Sequence, residues 1–400
     1  MKITTNDWIV IGMEKRNHFK VNDIYDFSIN VLKKAGYTDK KAKSTAFALL
    51  EADKRGIFSH GTAGGTGIEE SVKRSGITST VRLDTEPIIH KQKYETIAVI
   101  DANGAPGHYT SDIAVELVKK IARKYGYGKV FVYNANHYGA AGVWSRKIAE
   151  DGDLKGSSTC TTVAVSRIMG DDPERLDYTK GAGTENRLGT NPLAISFPLV
   201  GGILTFDSAW TRMAVSYCLK KLKAGEMMNI PEYIGDKDYK STLNPKKFKE
   251  SMQSEDKIKG TVFPHGSTLA GYKGDSMLRF IEIDNALGGG PVHRIPFEAN
   301  NENRRISHTF EAQALDIFYD LDASKVKINE LMIDYKKYFG PNSRWPGERA
   351  DKAVNYSESN GIPYSVGQIN SLKRTAEFVD EIFNLQPVSF KEYPEDIFNK

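Results

Sequence analysis

The stretch Asp53–Gly61, Asp-Lys-Arg-Gly-Ile-Phe-Ser-His-Gly, carries the strongest chemical signal in this chain of 400 residues. It follows Thr38–Asp53, a segment whose apolar residues recur at helical spacing and whose first residue can cap a helix. It closes with a Ser-His-Gly turn, and the pKa of an unperturbed histidine lies near neutrality. The pattern therefore predicts a helix followed by a loop in which His60 exchanges protons with a ligand.

A second polar cluster, Asn134–Gly139 with the sequence Asn-Ala-Asn-His-Tyr-Gly, follows further along the chain. It lies between a predicted buried strand, Lys129–Tyr133, and a predicted helix, Ala140–Glu150. His137 is thus at a loop–helix junction, where we expect a second proton-transfer group. The alternative for both histidines is structural, as a turn residue for His60 and a helix cap for His137. Of the other histidines, two are predicted to be surface or capping residues, His108 and His265, and two are assigned no role, His293 and His308.

Helices and strands alternate along much of the chain, which indicates an α/β fold. Further strands are predicted at Ile97–Asp101, Lys155–Thr161, Leu193–Phe197 and Ile203–Phe206. Further helices are predicted at His108–Tyr125, with Gly126 as its C-terminal stop, and over a C-terminal segment spaced as Ile369, Leu372, Ala376, Val379 and Phe383. Two polar stretches, 171–186 and 296–307, are predicted to be surface insertions.

Composition and charge exclude several classes of protein. The net charge is +4 without a long basic block, so nucleic acid is not expected as a partner. Two cysteines, Cys160 and Cys218, are too few for a disulfide framework and lack metal-site spacing, which indicates a reducing compartment and no metal site. The sequence shows no signal peptide, and no apolar run approaches the roughly 18 residues of a membrane span. The sequence therefore predicts a cytoplasmic protein without membrane association.

The familiar nucleotide-binding motifs are missing. No Gly-x-Gly-x-x-Gly follows a predicted strand, so the Rossmann fingerprint is absent from the sequence. Gly64–Gly67 lacks the Lys-Ser/Thr pair of a P-loop, and neither a His-Glu-x-x-His motif nor a cysteine pair supports zinc. Any nucleotide must therefore bind in a different frame.

Six landmarks resemble, in the same order, those of the malate/L-lactate dehydrogenase family that does not use a Rossmann fold. That family also contains sulfolactate, ureidoglycolate and diketogulonate oxidoreductases and cyclic imino-acid reductases. The first landmark is Glu51–Gly61, which looks like the family signature around Ser-His-Gly. The others are Asn134–Gly139, Gly189–Pro192, Leu204–Asp207, Gly271–Gly274 and Arg344–Glu348. Each short motif is weak alone, but their order over nearly the whole chain makes the resemblance specific.

The resemblance implies an α/β, non-Rossmann NAD(P)-binding fold with a mostly antiparallel central sheet and a helical subdomain built from both termini. We expect residues 1–120 with 308–400 to form the helical, substrate-binding subdomain and residues 121–307 to form the cofactor-binding subdomain. The resemblance also implies NAD or NADP as cofactor, a small-molecule substrate and a homodimer. The reaction would move a hydride between nicotinamide and a 2-hydroxy or 2-keto acid, a related ketone or an imine. The choice between NAD and NADP stays open, because the acidic-residue rule for ribose belongs to the Rossmann frame.

Carried over position by position, the resemblance implies a set of site residues. His60 and His137 match the two histidines that handle the proton, and Ser59 matches a polar neighbour of the substrate. The positions that match cofactor-lining segments are Thr162, Asp207, Ser208, Tyr272, Lys273, Gly347 and Glu348.

Structural alternatives stay open for part of this set. Asp207 also suits an N-cap of the following helix, and Lys273 also suits a solvated lysine at a helix start. The turn Gly189–Pro192 is interpreted as structural. Asp53 is interpreted as architectural, holding either Arg55 or a loop amide.

One position departs from the family. The family commonly places an arginine three residues after the glycine of Ser-His-Gly, where it can bind the substrate carboxylate bidentately, and this chain has Gly64 there. We consider three explanations and slightly favour the last. In the first, the backbone amides at the start of a helix Ile68–Arg74 bind the substrate carboxylate. In the second, an arginine from another part of the chain binds it. In the third, the substrate is larger or lacks a carboxylate, and the glycines make room for it. The arginines considered are Arg167, Arg187 and Arg212.

The competing function is a non-catalytic nucleotide- or metabolite-binding protein that kept the scaffold but lost the carboxylate clamp. The presence of both His60 and His137 speaks against it, because a protein that only binds has no need of two proton-transfer groups.

Overall fold

Both ends of the chain contribute to one structural unit, residues 1–79 and 336–400, and residues 80–335 form a second. We refer to them as the terminal unit and the sheet unit. The computed structural model describes residues 16–76, 81–168, 186–223, 225–230, 233–236, 240–253, 260–290, 306–340, 343–388 and 397. The predicted fold class is confirmed, because a helical unit made from both termini accompanies a mostly antiparallel sheet.

The elements in chain order are β1 (Arg16–Phe19), α1 (Val21–Lys34), α2 (Asp39–Lys54), α3 (Ile68–Gly76), β2 (Ile88–Ile89), β3 (Ile97–Asp101), α4 (Gly107–Tyr125), β4 (Tyr127–Ala135), α5 (Ala141–Ala149), β5 (Leu154–Cys160), β6 (Ser166–Arg167), β7 (Asn186–Leu188), β8 (Leu193–Leu199), β9 (Gly202–Ser208), α6 (Val215–Lys223), β10 (Ile234–Gly235), β11 (Ser241–Thr242), α7 (Pro245–Gln253), β12 (Thr261–Val262), α8 (Ser267–Leu287), β13 (Ile306–Ala314), α9 (Leu321–Phe339), α10 (Glu348–Asn360), β14 (Ile362–Ser365) and α11 (Val366–Phe378).

Helices α1, α2, α3, α10 and α11 build the terminal unit around the short antiparallel pair β1–β14. The predicted helix after Thr38 is confirmed as α2, and the Thr38 hydroxyl accepts a hydrogen bond from the Lys41 N–H. This cap satisfies one of the amide groups that every helix start leaves unpaired. The buried side of α2 carries the predicted apolar residues Ala42, Ala46 and Leu49.

The C-terminal helix α11 begins with a capping box. Ser365 accepts a hydrogen bond from the Gln368 N–H, and the Gln368 side chain accepts one from the Ser365 N–H. Ile369, Leu372 and Ala376 are buried, but the helix ends at Phe378. The predicted continuation to Phe383 is wrong, and the Phe383 ring instead packs edge-on against Phe27, with 5.6 Å between ring centroids.

A seven-stranded sheet in the order β2-β3-β4-β13-β5-β8-β9 forms the centre of the sheet unit. Only the pair β3–β4 is parallel, and the other neighbours run antiparallel. All five predicted strands are present, each within two residues of its predicted ends. The strand β13 lies between β4 and β5, although almost 150 residues separate it from β5.

One row of small residues explains how closely two helices approach this sheet. In the observed register Gly128 pairs with Ala312, and Ala312 pairs with Gly156 on the next strand. A Cβ atom at Gly128 would lie 2.8 Å from the Ile121 side chain of α4, and one at Gly156 would lie 2.7 Å from the Ile148 side chain of α5. Larger residues in this row would therefore push both helices away from the sheet.

The other face of β4 contacts α8. Lys129 alternates with Gly128 along the strand, and its ammonium group lies 2.6 Å from Asp284 of α8. A smaller layer made of α6, α7 and β10–β12 has its own apolar core within the sheet unit, formed by Val165, Met213, Val215, Cys218, Met228, Ile234, Phe248 and Val262. Within the described residues, no helix combines the length and the apolar character needed to cross a bilayer.

The boundaries of the two units differ from the predicted boundaries at 120/121 and 307/308. The strand β3 and the helix α4 pack on β4, and β13 is an inner strand of the same sheet, so all three belong to the sheet unit. Of the two predicted insertions, residues 171–185 and 296–305 lie outside the described residues. Their last residues, Asn186 and Ile306–Ser307, are strand residues of β7 and β13.

Candidate active site

A buried carboxylate holds the loop that carries Ser59 and His60. Asp53, in the last turn of α2, has no exposed surface. Its Oδ2 atom accepts hydrogen bonds from the Thr62 N–H (2.8 Å), the Thr62 hydroxyl (2.6 Å) and the Tyr364 hydroxyl (2.6 Å). Of the two predicted partners, the loop amide is therefore confirmed, whereas Arg55 pairs with Glu51 instead.

Burial dominates the electrostatics of this carboxylate. It raises the pKa of Asp53 from 3.8 to about 6, although the hydrogen bonds from Thr62 and Tyr364 act in the opposite direction. The pKa of the Tyr364 hydroxyl lies well above 10, because it is buried and next to Asp53. The Tyr364 phenol therefore stays a hydrogen-bond donor over the whole range in which Asp53 titrates.

Glycines in the following loop are required by close backbone packing. The amide of Gly64 donates to the Gly61 carbonyl, and the amide of Gly67 donates to the Gly64 carbonyl, so the chain turns every three residues. A Cβ atom at Gly64 would lie 2.5 Å from the Ser59 carbonyl oxygen and 2.6 Å from that of Phe58. The side of Gly64 on which a side chain would stand therefore faces backbone, and the idea that this glycine makes room for a larger substrate loses its support.

The start of α3 is poorly suited to bind an anion, and two of the three candidate arginines contact other groups within the sheet unit. The first turn of α3 contains Glu69 and Glu70, whose charges disfavour an anion at the helix start. Arg167 is buried and donates to the Asp236 carbonyl (2.9 Å), and the Arg212 guanidinium lies over the Tyr233 ring. Arg187 is exposed on β7.

Ser59 and His60 form a local pair at the turn. The Ser59 hydroxyl lies 2.8 Å from His60 Nδ1, and Ser59 is exposed whereas His60 is partly buried. This arrangement presents a hydroxyl and an imidazole on the same loop, within the terminal unit.

His137 lies in the sheet unit, in the loop between β4 and α5. The Gly139 N–H donates to His137 Nδ1 at 3.0 Å. Because Nδ1 accepts this bond, the neutral ring carries its proton on Nε2. The loop needs left-handed backbone at Asn134 (φ 52°) and Gly139 (φ 83°), residue types that adopt it readily.

Asp207 connects β9 to the start of α5, directly after the His137 loop. Its Oδ2 atom accepts the Gly142 N–H at 2.9 Å. The predicted alternative for Asp207, an N-cap of the following helix, is therefore wrong, because Asp207 caps the earlier helix α5. The absence of a side chain at Gly142 permits the contact, since a Cβ atom there would lie 2.6 Å from the same carboxylate oxygen.

His265 contacts both Ser208 and the first turns of α8. The Ser208 hydroxyl lies 3.4 Å from His265 Nε2, which also donates to the Ala209 carbonyl at 2.8 Å. On α8, a Cβ atom at Gly274 would lie 2.5 Å from the His265 backbone. Tyr272 and Lys273 precede this glycine and are exposed, with the Lys273 ammonium near the Tyr272 ring.

Hydrogen bonds connect Thr162 to the Gly189–Pro192 turn, and this turn is bonded to Trp210, which follows Ser208 closely in the chain. Its hydroxyl accepts the Thr190 N–H at 2.7 Å, and its own N–H donates to the Asn191 side chain at 3.1 Å. The Thr190 carbonyl in turn accepts the Trp210 N–H at 3.0 Å. The structural interpretation of this turn agrees with these bonds, which also occupy the Thr162 hydroxyl.

Gly347 and Glu348 are in the terminal unit. Gly347 has φ 94° and occupies the N-cap position of α10, and Glu348 pairs with Lys336 at 2.5 Å. The structure thus brings Asp207, Ser208, Thr162 and the Tyr272–Lys273 pair into one connected set with the loop of His137. The other predicted site residues, Ser59, His60, Gly347 and Glu348, belong to the terminal unit. The described residues contain no group of three or more His, Cys, Asp or Glu side chains arranged to hold a metal ion.

Sequence reasoning missed several residues of these surroundings. His265 and His308 lie far in sequence from the segments they contact, so local patterns give no signal for them. Trp210 has a buried indole N–H without a hydrogen-bond partner, next to Ser208 in the chain. Its position beside the predicted Asp207–Ser208 pair was the one available hint.

A model of the malate/L-lactate dehydrogenase family matches residues 19–373. The chain belongs to this family. It is 31% identical over 311 residues to the L-sulfolactate dehydrogenase of Methanocaldococcus jannaschii, covering 77% of this chain and 81% of that protein. It is 27% identical over 333 residues to the malate dehydrogenase of Pyrococcus abyssi, covering 81% and 84%. The structure resembles that of the malate dehydrogenase of Pyrococcus horikoshii with a TM-score of 0.78, at 22% identity, over 93% of this chain and 98% of that one.

Membership confirms the predicted family and reaction class, an NAD(P)-dependent dehydrogenase acting on CH–OH groups. The likeness to the solved structure confirms the fold. The roles predicted for individual residues remain predictions.

Replacing Gly64 by alanine should disturb the Ser59–His60 turn. The new methyl group would overlap the carbonyl oxygens of Phe58 and Ser59, and we expect a loss of roughly 1–3 kcal/mol in unfolding free energy, together with a lower kcat. Gly202→Ala is the control, because a Cβ atom at Gly202 has no neighbour within 4 Å. Equal stability and activity of the two variants would contradict the packing argument.

Replacing Asp53 by asparagine should remove a pH dependence of stability. The folded-state pKa of about 6 lies above the unfolded value near 3.8. The protonated Asp53 side chain therefore stabilises the folded protein fully below pH 3.8, and this contribution to the free energy of unfolding is lost as pH rises through 6. The displacement corresponds to roughly 3 kcal/mol. Chemical denaturation at several pH values between 4 and 7 should show the wild type losing stability relative to Asp53→Asn by an amount of this order. Asp23→Asn, at an exposed position of α1, is the control; a pH-independent difference for Asp53→Asn would refute the assignment.

Proposed function

We propose that this protein transfers a hydride between a nicotinamide cofactor and a 2-hydroxy or 2-keto acid, or a related ketone or imine, with His60 and His137 handling the proton. The observation that carries the proposal is the fixed tautomer of His137. Its Nδ1 accepts the Gly139 N–H, so the neutral ring presents its Nε2–H as a hydrogen-bond donor to the reacting oxygen. Net transfer of a proton from this ring requires the imidazolium form, in which both ring nitrogens are protonated. A hydride transfer forms or consumes an alkoxide, and such an oxygen needs a group that gives or takes a proton within hydrogen-bond reach.

His60 is the second proton-handling group in this proposal. Its Nδ1 lies beside the Ser59 hydroxyl, which can orient the ring and contact the substrate. The buried Asp53 carboxylate holds the same loop through Thr62. The kinetics of the His60 and His137 variants distinguish the histidine that donates to the substrate oxygen from the one that orients it.

The side chains around Asp207 and Ser208 fit a dinucleotide. The bound cofactor supplies or accepts the hydride. The Lys273 ammonium is exposed and suits a phosphate, the Tyr272 ring is 42% exposed and suits stacking, and the buried Trp210 N–H lacks an acceptor. Thr162, Gly347 and Glu348 complete the proposed cofactor-binding set with backbone and carboxylate groups. NAD and NADP both remain candidates.

The names of the relatives guide the choice of substrates. They include malate, L-sulfolactate and ureidoglycolate dehydrogenases, whose names denote hydroxy acids. The loop at Gly64 offers no cation for a carboxylate, which favours the alternative of a protein that binds cofactor without turnover. Turnover assays with a panel of substrates distinguish a dehydrogenase from a protein that only binds the cofactor.

Substitution of the proposed proton-handling histidines should abolish most turnover. We expect His60→Ala and His137→Ala each to lower kcat by about 10²–10⁴-fold with the best substrate among oxaloacetate, pyruvate and a bulky ketone, each assayed with NADH and NADPH. His90→Ala is the control, since His90 is exposed and bonds the Tyr133 hydroxyl. Cofactor binding by the wild type without turnover of any substrate would favour the binding-protein alternative, and full activity of both variants would refute the histidine roles.

We also propose that the protein is a homodimer that uses the helix α9. None of the nineteen residues of α9, all of them described, is buried. Val326, Leu331 and Ile333 are each more than 45% exposed, and Phe318 just before the helix is 85% exposed. Successive helical residues are about 100° apart, so Val326 and Ile333 lie on one face of α9 and Leu331 lies on the opposite face. A stable interface buries about 800 Å² per partner, so the proposed interface also includes the neighbours of these side chains. The proposed occupant is a second copy of the chain, because a two-fold axis brings the same surface of both subunits into one closed interface.

A charge placed on α9 should dissociate this dimer. The double variant Leu331→Glu/Ile333→Glu should sediment as a monomer at concentrations where the wild type sediments as a dimer, because two charges would be desolvated at the interface. Ile382→Glu is the control, since Ile382 is 76% exposed but lies outside α9. A monomeric wild type, or a dimeric double variant, would contradict the proposal. A cytoplasmic location remains a prediction; both cysteines are buried, and neither forms a disulfide.

A further inference from the structure

His308 is a buried histidine that touches the loop of His137. It lies in the middle of β13, opposite Val132 of β4 and Cys160 of β5, and has no exposed surface. His308 Nε2 lies 3.0 Å from the carbonyl oxygen of Asn136, the residue before His137. A carbonyl oxygen can only accept, so Nε2 carries the proton and donates it to this bond.

The second ring nitrogen of His308 completes the tautomer. His308 Nδ1 lies 3.4 Å from the Ser111 hydroxyl of α4, which can therefore donate to it. The Asn136 side chain adds two further bonds, donating to the carbonyls of Gly104 and Ala105. The peptide before His137 is thus held both by a donor in the sheet and by the turn that precedes α4.

Aromatic packing holds the residue after His137. The Tyr138 ring stacks on His308, with 4.5 Å between ring centroids and 19° between planes. The Tyr138 hydroxyl lies 3.0 Å from the Ser158 hydroxyl, and the Trp144 indole N–H donates to the Tyr138 carbonyl at 2.7 Å. His137 therefore lies between two neighbours that the buried interior fixes, and both neighbours contact His308.

We propose that His308 is a positioning residue that sets the orientation and the tautomer of His137 through the Asn136 carbonyl and the Tyr138 ring. The inference rests on the proposed function only for its catalytic consequence. With the Asn136 peptide fixed, the Gly139 N–H meets His137 Nδ1, and the proton of His137 stays on Nε2. Without it, the peptide can rotate, and the His137 proton can move to Nδ1.

The chemistry of His308 suits this role. Burial lowers its pKa from 6.5 to about 3, the neighbouring His108 acts in the same direction, and the Asn136 carbonyl opposes them. The ring therefore remains a neutral donor at pH values where a working histidine titrates. A positioning group that does not itself change charge holds the Asn136 peptide and the Tyr138 ring in place in both protonation states of His137.

Three variants separate positioning from simple packing. His308→Phe retains a ring against Tyr138 but removes both nitrogens, whereas His308→Gln retains a donor near the Nε2 position. His18→Phe is the matched control, because His18 is equally buried and its Nε2 lies 3.1 Å from the Tyr356 hydroxyl in the terminal unit. All three are made in the full chain and compared with the wild type for folded content and melting temperature.

The kinetic result expected is specific to kcat. His308→Phe should lower kcat by about 10–100-fold and displace the pKa seen in the pH dependence of kcat, because a displaced general acid or base loses alignment with the reacting oxygen. The KM for the cofactor should change less than about threefold, and His308→Gln should recover most of the lost rate. His18→Phe should lower the melting temperature without moving the pH profile. An unchanged profile in His308→Phe would overturn the inference.

Nuclear magnetic resonance of protein labelled with ¹⁵N at histidine tests the same point without turnover. The wild type should show His308 protonated at Nε2 and neutral from pH 5 to 8, and His137 protonated at Nε2 when neutral. In His308→Phe the His137 signals should shift towards a mixture of tautomers. An inactive wild type with these shifts would refute the proposed function and support the positioning role. An active enzyme whose His137 signals are identical in wild type and His308→Phe would refute the positioning role of His308 and leave the proposed function supported.

Discussion

One carboxylate oxygen, Asp53 Oδ2, connects the end of α2 to the loop that follows it and to the distant strand β14, all within the terminal unit. It accepts from the backbone and side chain of Thr62 and from Tyr364, which lies 311 residues further along the chain. A buried carboxylate is costly unless donors surround it, so the burial of Asp53 depends on the donors that the loop and β14 supply. The raised pKa of Asp53 indicates that the cost of burial is only partly compensated. The conformation of the Ser59–His60 turn depends on this interaction, because Thr62 is only two residues away.

The two loops that carry the proposed proton-handling histidines are held by opposite chemistry. In the terminal unit an acceptor, Asp53, collects donors from the loop. In the sheet unit a donor, His308, binds a loop carbonyl and remains neutral. Both groups are fully buried, so water does not compete for their bonds. Such interior groups restrict the backbone next to a reactive side chain while leaving that side chain outside the interior, which is what preorganisation of a site requires.

Local patterns were sufficient to predict several helices and strands but not their assembly. The apolar spacing of α2 and α4, the cap at Thr38 and the stop at Gly126 depend on residues within one or two turns, and they were predicted correctly. The insertion of β13 between β4 and β5 depends on pairing over long distances in sequence, as does the contact between His308 and Asn136, which are 172 residues apart. No periodicity encodes such pairs. The end of α11 was misplaced because Phe383 keeps the apolar spacing although the helix has already stopped.

The glycines after His60 show how one residue type can suggest the wrong cause. Read as sequence, Gly61, Gly64 and Gly67 suggest space for a ligand. In the structure, the sites of their missing side chains are filled: by the Asp53 carboxylate at Gly61, and by loop carbonyls at the other two. An arginine at position 64 would require this backbone to shift, because its Cβ atom would overlap the carbonyl oxygens of Phe58 and Ser59. Buried polar groups hold the loops of the two proposed proton-handling histidines. Any cation that binds a substrate anion must come from outside the loop Gly61–Gly67, because that loop has no cationic residue.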